Sequence, residues 1–109
     1  MELNAKDILD QMVQAAKTSF GKNWPGIKDL ATWEFKKLAN NVVAIERMKQ
    51  SNSITEQTAR LQIELQKNTL KTIILTEAAI EILAVESAIN AALNIVSGAV
   101  NKAIGWKLL

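Results

Sequence analysis

The chain has 109 residues, a formal net charge of +2, nearly half apolar residues, and neither cysteine nor histidine. The missing cysteine excludes a disulfide framework and a thiolate metal site, and the missing histidine removes the commonest general base and transition-metal ligand. The small net charge does not indicate nucleic-acid binding. We therefore expect one domain, residues 1–109, that is not an enzyme, holds no cofactor and has no small-molecule substrate.

The composition predicts an all-α fold, because one proline and four glycines leave few breaks in a chain rich in helix-forming residues. The pattern favours an antiparallel helical bundle of three main helices, at about 4–20, 25–50 and 54–97, with a short C-terminal helix as an option. The N-terminus lacks the basic region and apolar run of a signal peptide. We expect a cytoplasmic protein, and a peripheral membrane location stays open.

The first predicted helix carries signals at both ends. Asn4 can cap its start, with Asp7 three residues later in capping-box spacing. Gly21 is a natural stop. One apolar stripe recurs at steps of three and four, formed by Ala5, Leu9, Met12, Val13, Ala16 and Phe20. The stripe predicts one buried face on a short helix.

The second predicted helix follows a turn at Trp24-Pro25-Gly26, since proline suits the first turn of a helix. Its apolar face comprises Ile27, Ala31, Phe35, Leu38, Val42 and Ile45. The polar residues 50–53 end it. Ser53 and Glu56 then have capping-box spacing, which predicts that a third helix begins at Ile54.

The third predicted helix has no breaker between Ile54 and Gly98. Its two halves present different sides. The side that carries Arg60, Glu64, Lys67 and Lys71 in the first half is apolar in the second half. Supercoiling shifts a face by only about 20° per heptad, too little for this swap. We expect either a break near residues 68–72 or a change of packing partner.

The apolar side of that second half exceeds what two shorter helices of one chain are expected to cover, and large apolar patches are rarely left in water. The sequence therefore predicts a homo-oligomer, a dimer or higher, that completes the bundle. The expected self-association residues are Leu75, Ile82, Val85, Ile89, Leu93, Val96 and Val100.

The leading functional hypothesis is a non-catalytic structural or protein-interaction protein. The alternative is an amphipathic helical protein on a lipid or membrane surface, although the polar side of residues 78–100 lacks the basic residues that favour anionic lipid. A third hypothesis is a degenerate ferritin-like carboxylate protein. Its first candidate ligands are Glu34, Glu46, Glu77 and Glu81, without the histidines that such sites normally use.

Overall fold

A computed structural model describes residues 3–109 of the chain. Within them the chain forms four α-helices: α1 (Ala5–Phe20), α2 (Trp24–Gln50), α3 (Glu56–Glu77) and α4 (Ile82–Ile104). A 3-10 turn, Gly21–Asn23, joins α1 and α2. Residues 3–109 contain no β-strand. The all-α prediction is confirmed.

The first helix begins and ends as its sequence predicts. The Asn4 side chain accepts a hydrogen bond from the Asp7 main-chain N–H at 3.1 Å, and Gly21 takes a positive φ of 57° just after the last turn. Glycine adopts that conformation without a Cβ penalty. The chain reverses in the 3-10 turn, so Trp24-Pro25-Gly26, predicted as the turn, instead forms the first turn of α2.

The connection between α2 and α3 moves the start of α3 slightly. Thr55, not Ser53, caps α3, and its hydroxyl accepts from the Thr58 main-chain N–H at 3.1 Å. Ser53 instead lies 2.6 Å from the Ser51 hydroxyl. Asn52 supplies the sharp reversal with a φ of 57°, a left-handed conformation that asparagine tolerates better than most residues.

The predicted helix 54–97 is two helices, and both of its predicted ends need correction. The break lies at residues 78–81, not 68–72, where Ala78 and Glu81 take extended conformations. The helix then continues through Gly98 to Ile104. No glycine or proline lies at the break, so local propensity does not cause it. The two helices pack against different neighbours, α3 mainly against α2 and α4 mainly against α1.

The neighbour of α4 is chiefly α1, and these two helices approach each other more extensively than any other pair. Ala16 of α1 and Ala88 and Ala92 of α4 have no exposed surface. Small side chains let the two backbones lie close, so a 16-residue helix covers much of a longer one. The core continues into α2 through Phe35, which is also fully buried.

Candidate functional site

Most of the residues predicted for self-association lie inside the single chain. Five of them, Val85, Ile89, Leu93, Val96 and Val100, are at most 5% exposed. Leu75 is partly buried, and Ile82, in the first turn of α4, is half exposed. Within the single chain α1 packs against α4 and covers most of this surface. Self-association through these residues stays a prediction, and of the seven only Ile82 is exposed in the single chain.

The four candidate carboxylates do not meet. Glu34 is buried and pairs with Lys37 at 2.8 Å. Glu46 is buried, and its Oε1 accepts from the Leu3 main-chain N–H at 2.9 Å. Glu77 and Glu81 lie exposed on either side of the α3–α4 connection. Among residues 3–109, no three acidic side chains are grouped to hold a metal ion.

One end of the molecule is closed by a lysine. The Lys49 Nζ donates a hydrogen bond to the Ile104 main-chain oxygen and lies 5.0 Å from the centroid of the Trp106 ring. Gly105 takes a left-handed φ of 84° after the last turn of α4. The lysine therefore satisfies a helix-end carbonyl and makes a cation–π contact with the following tryptophan. Trp106 closes the end of the core through this contact.

The C-terminal residues fold back on α4 through Asn101. Its side-chain oxygen accepts from the main-chain N–H groups of Leu108 and Leu109, at 2.9 and 3.0 Å. Leu108 is buried as a result. Asn101 therefore anchors the C-terminal residues to α4.

Large apolar side chains remain exposed at only a few described positions. They are Trp33, Leu61, Leu65, Ile82, Leu83 and Ile95. Leu61 and Leu65, 59% and 58% exposed, lie one turn apart on α3. Ile95 instead lies beside Asp10 and Gln14 of α1. The two leucines are the exposed apolar pair that lies within a regular helical face.

That face of α3 has heptad spacing. We name it the α3 seam, and its residues are Thr58, Leu61, Leu65, Asn68, Thr72 and Leu75. They alternate at steps of three and four, as in a coiled-coil interface. All are exposed except the partly buried Leu75. The α3 seam is therefore an uncharged helical face that the rest of the chain leaves largely uncovered.

The threonines beside the α3 seam are less polar than their composition implies. Thr69 donates its hydroxyl hydrogen to the Leu65 main-chain oxygen at 2.9 Å, and Thr76 donates to that of Thr72 at 2.8 Å. Because these hydroxyls are satisfied within the helix, they need no partner elsewhere. An open surface groove lined by Leu65, Asn68, Thr69, Thr72 and Ile73 follows this side of the seam.

Charges flank the α3 seam on its other side. Glu64 and Lys67 pair at 3.3 Å, and Lys71 follows one turn later. Lys67 and Lys71 line a groove shared with Glu86 of α4. The charged side predicted for this half of the chain thus lies next to α4, while the seam faces solvent.

The outer face of α4 is also uncharged from Ser87 to Gly98, but it is more polar. Ser87, Asn90 and Asn94 are exposed on it. The Ser97 hydroxyl donates to the Asn94 main-chain oxygen at 3.1 Å. By length and composition alone α4 is apolar enough to cross a membrane, a property that core helices share.

Comparison with known proteins gives no identification: no protein-family model, no curated protein and no solved structure matches this chain. The exposed surface of the molecule is therefore the remaining indication of its function. The heptad spacing of the α3 seam was present in the sequence and was missed, because the more apolar residues after 72 drew the prediction of self-association.

Proposed function

We propose that this protein is a non-catalytic helical interaction protein that self-associates through the α3 seam. The observation that carries the proposal is the pair Leu61 and Leu65, more than half exposed within a helical face that has no charge. Burial of apolar area is the main favourable term in association. A second copy placed on this face would remove both leucines from water.

Charge supports a second copy as the occupant. A symmetric pair places equivalent surfaces together, so a face with a strong charge of one sign repels itself. Helix α2 exposes four basic residues, Lys28, Lys36, Lys37 and Arg47, against one exposed acid, Asp29. The α3 seam has no charged member and meets its own copy without this repulsion.

We further propose that the four helices form an antiparallel bundle and that the dimer joins two bundles side by side. Short connections favour antiparallel neighbours. The hydrogen bonds of Leu3 with Glu46 and of Lys49 with Ile104 support this arrangement. They join the start of α1 to the end of α2, and the end of α2 to the end of α4, and an antiparallel bundle places these three helix ends together. A contact along one helix of each copy belongs with the smallest interfaces, so we expect reversible association.

The test is the solution mass as a function of protein concentration, measured by sedimentation equilibrium. The wild-type protein should pass from monomer to dimer as the concentration rises. Leu61→Glu combined with Leu65→Glu should remain a monomer, because it places four like charges in the seam. Its helical content and melting temperature should stay close to wild type, since both positions are exposed in the single chain.

Leu83→Glu is the matched control, because Leu83 is 72% exposed but lies on α4. It should dimerise as the wild type does. A wild-type protein that stays monomeric at millimolar concentration would contradict the proposal. So would a dimer that tolerates both α3 charges.

A second candidate function, association with a lipid surface, is favoured by one observation. Ile82 and Leu83 are exposed together in the first turn of α4, next to the α3–α4 connection. The test is flotation with neutral and anionic lipid vesicles. Binding that Leu83→Glu abolishes and the α3 double variant retains would support this candidate.

A further inference from the structure

We propose that the two copies lie parallel and in register along the α3 seam, so that each Asn68 pairs with Asn68 of the second copy. This inference rests on the proposed self-association and adds the orientation of its partner. A parallel arrangement in register sets every seam residue beside its own equivalent. The order of residue types along the seam then decides how well each layer fits.

The seam matches itself layer by layer in this arrangement. Leu61 meets Leu61 and Leu65 meets Leu65, which puts the exposed apolar side chains in two adjacent layers. The next layer joins two Asn68 amides, and each amide offers both a donor and an acceptor to the other. A polar residue in a heptad seam disfavours registers that leave it without a polar partner.

The antiparallel arrangement fits less well. The antiparallel register that overlaps the whole seam pairs Leu65 with Asn68 and Leu61 with Thr72, so each leucine meets a polar side chain. The antiparallel register shifted by one heptad pairs Leu61 with Leu65, but it brings the Glu64 side chains of the two copies together and leaves Thr72 and Leu75 outside the contact. In the fully overlapped antiparallel register each Asn68 faces a leucine instead of an amide, and leaving a buried polar group unsatisfied is costly. The parallel pair avoids this loss.

Charge favours antiparallel pairing, but only weakly. That arrangement sets Glu64 beside Lys71 of the second copy twice, whereas the parallel pair sets both residues beside uncharged threonines, Thr69 and Thr76. Exposed ion pairs contribute little, and Glu64 already has Lys67 at 3.3 Å. Two unsatisfied buried amides therefore outweigh two exposed ion pairs, which points to the parallel pair.

The absence of cysteine from the chain makes the orientation directly testable. Thr72→Cys carries a single thiol, and a disulfide forms without backbone movement only where two Cα atoms lie within about 7 Å. Under mild oxidation at a concentration where the mass is that of a dimer, Thr72→Cys alone should give cross-linked dimer in high yield. In a mixture with Leu61→Cys, peptide mass spectrometry should find 61–61 and 72–72 links, with few 61–72 links.

The outcomes distinguish the orientation of the two copies from the self-association itself. A dimer that gives mainly 61–72 links would overturn the parallel orientation and leave the proposed self-association standing. A dimer without links of either kind would overturn the parallel arrangement in register. A monomeric mass, with cross-linking no faster than that of the exposed control Asn94→Cys, would overturn both.

Discussion

Helix α3 leaves more of its apolar side chains in solvent along a regular face than α4 does, although α4 is the more apolar of the two. The segment that became α4 is the more apolar, yet α1 covers its apolar face inside the chain, and Val85, Ala88 and Val100 have no exposed surface. The α3 segment carries more charge, yet it leaves Leu61 and Leu65 in solvent. Apolar content therefore identifies a helix that must be buried. It does not show whether the same chain or a second copy buries it.

Because α1 covers the apolar face of α4, we expect this face to stabilise the folded single chain. Ile89→Asp is expected to have the largest effect. Ile89 is 4% exposed, and an unpaired carboxylate at this position should lower the free energy of unfolding by about 3 kcal/mol or more. Urea denaturation followed by circular dichroism measures the change, and it should be independent of protein concentration.

Asn90→Asp is the matched control for this substitution. The neighbouring Asn90 is exposed on the same helix, so the free energy of unfolding should change by no more than about 0.5 kcal/mol. If Ile89→Asp instead leaves stability intact and only prevents dimerisation, then α4 is the interface and the comparison between the two helices fails.

A smaller effect is expected where α4 ends. Gly105 has a left-handed φ of 84°, and a Cβ there would lie 2.7 Å from the Lys49 Nζ. Gly105→Ala should therefore lower the free energy of unfolding by about 1–2 kcal/mol through backbone strain and displacement of the lysine. Thermal unfolding followed by circular dichroism measures it.

Gly98→Ala gives the contrasting result on the same helix. Gly98 lies within α4, and a Cβ there would meet no atom within 4 Å. Alanine is the better helix former, so stability should rise by about 0.5–1 kcal/mol. Equal effects of the two substitutions would contradict the account of Gly105 and Lys49.

The parts of the fold that could be predicted from the sequence are those with local signals. Asn4, Gly21 and Pro25 mark the ends of α1 and the start of α2, and the structure places these boundaries within a residue of the predictions. A capping signal was also present before α3, where Ser53 and Glu56 have capping-box spacing. Thr55, which is followed three residues later by Thr58, does not show that spacing. Local geometry chose Thr55.

The break between α3 and α4 could not be predicted in the same way. Ala78, Ala79, Ile80 and Glu81 include no helix breaker, so only packing between distant parts of the chain stops the helix there. The change of apolar side was correctly interpreted as a possible change of packing partner. The partner was assigned to a second copy because the stripe of α1 appeared short, and Ile8, which is also buried, was left out of it.

For the α3 seam, the sequence contains the spacing but does not show that the face is exposed. The heptad spacing of the α3 seam can be found in the sequence, but threonine and asparagine hide it from a search for apolar residues. Its exposure follows from the positions of α1, α2 and α4, which no local pattern specifies. The structure was needed to show that this face is uncovered.

Methyl NMR spectra through a dilution series test most directly whether α3, rather than α4, meets the second copy. The methyl signals of Leu61, Leu65 and Thr72 should shift with protein concentration, because they leave water only in the dimer. The signals of Ile89 and Val96, buried in the single chain, should stay constant. Concentration-dependent shifts confined to α4, or no shifts across the range where the mass changes, would contradict the account.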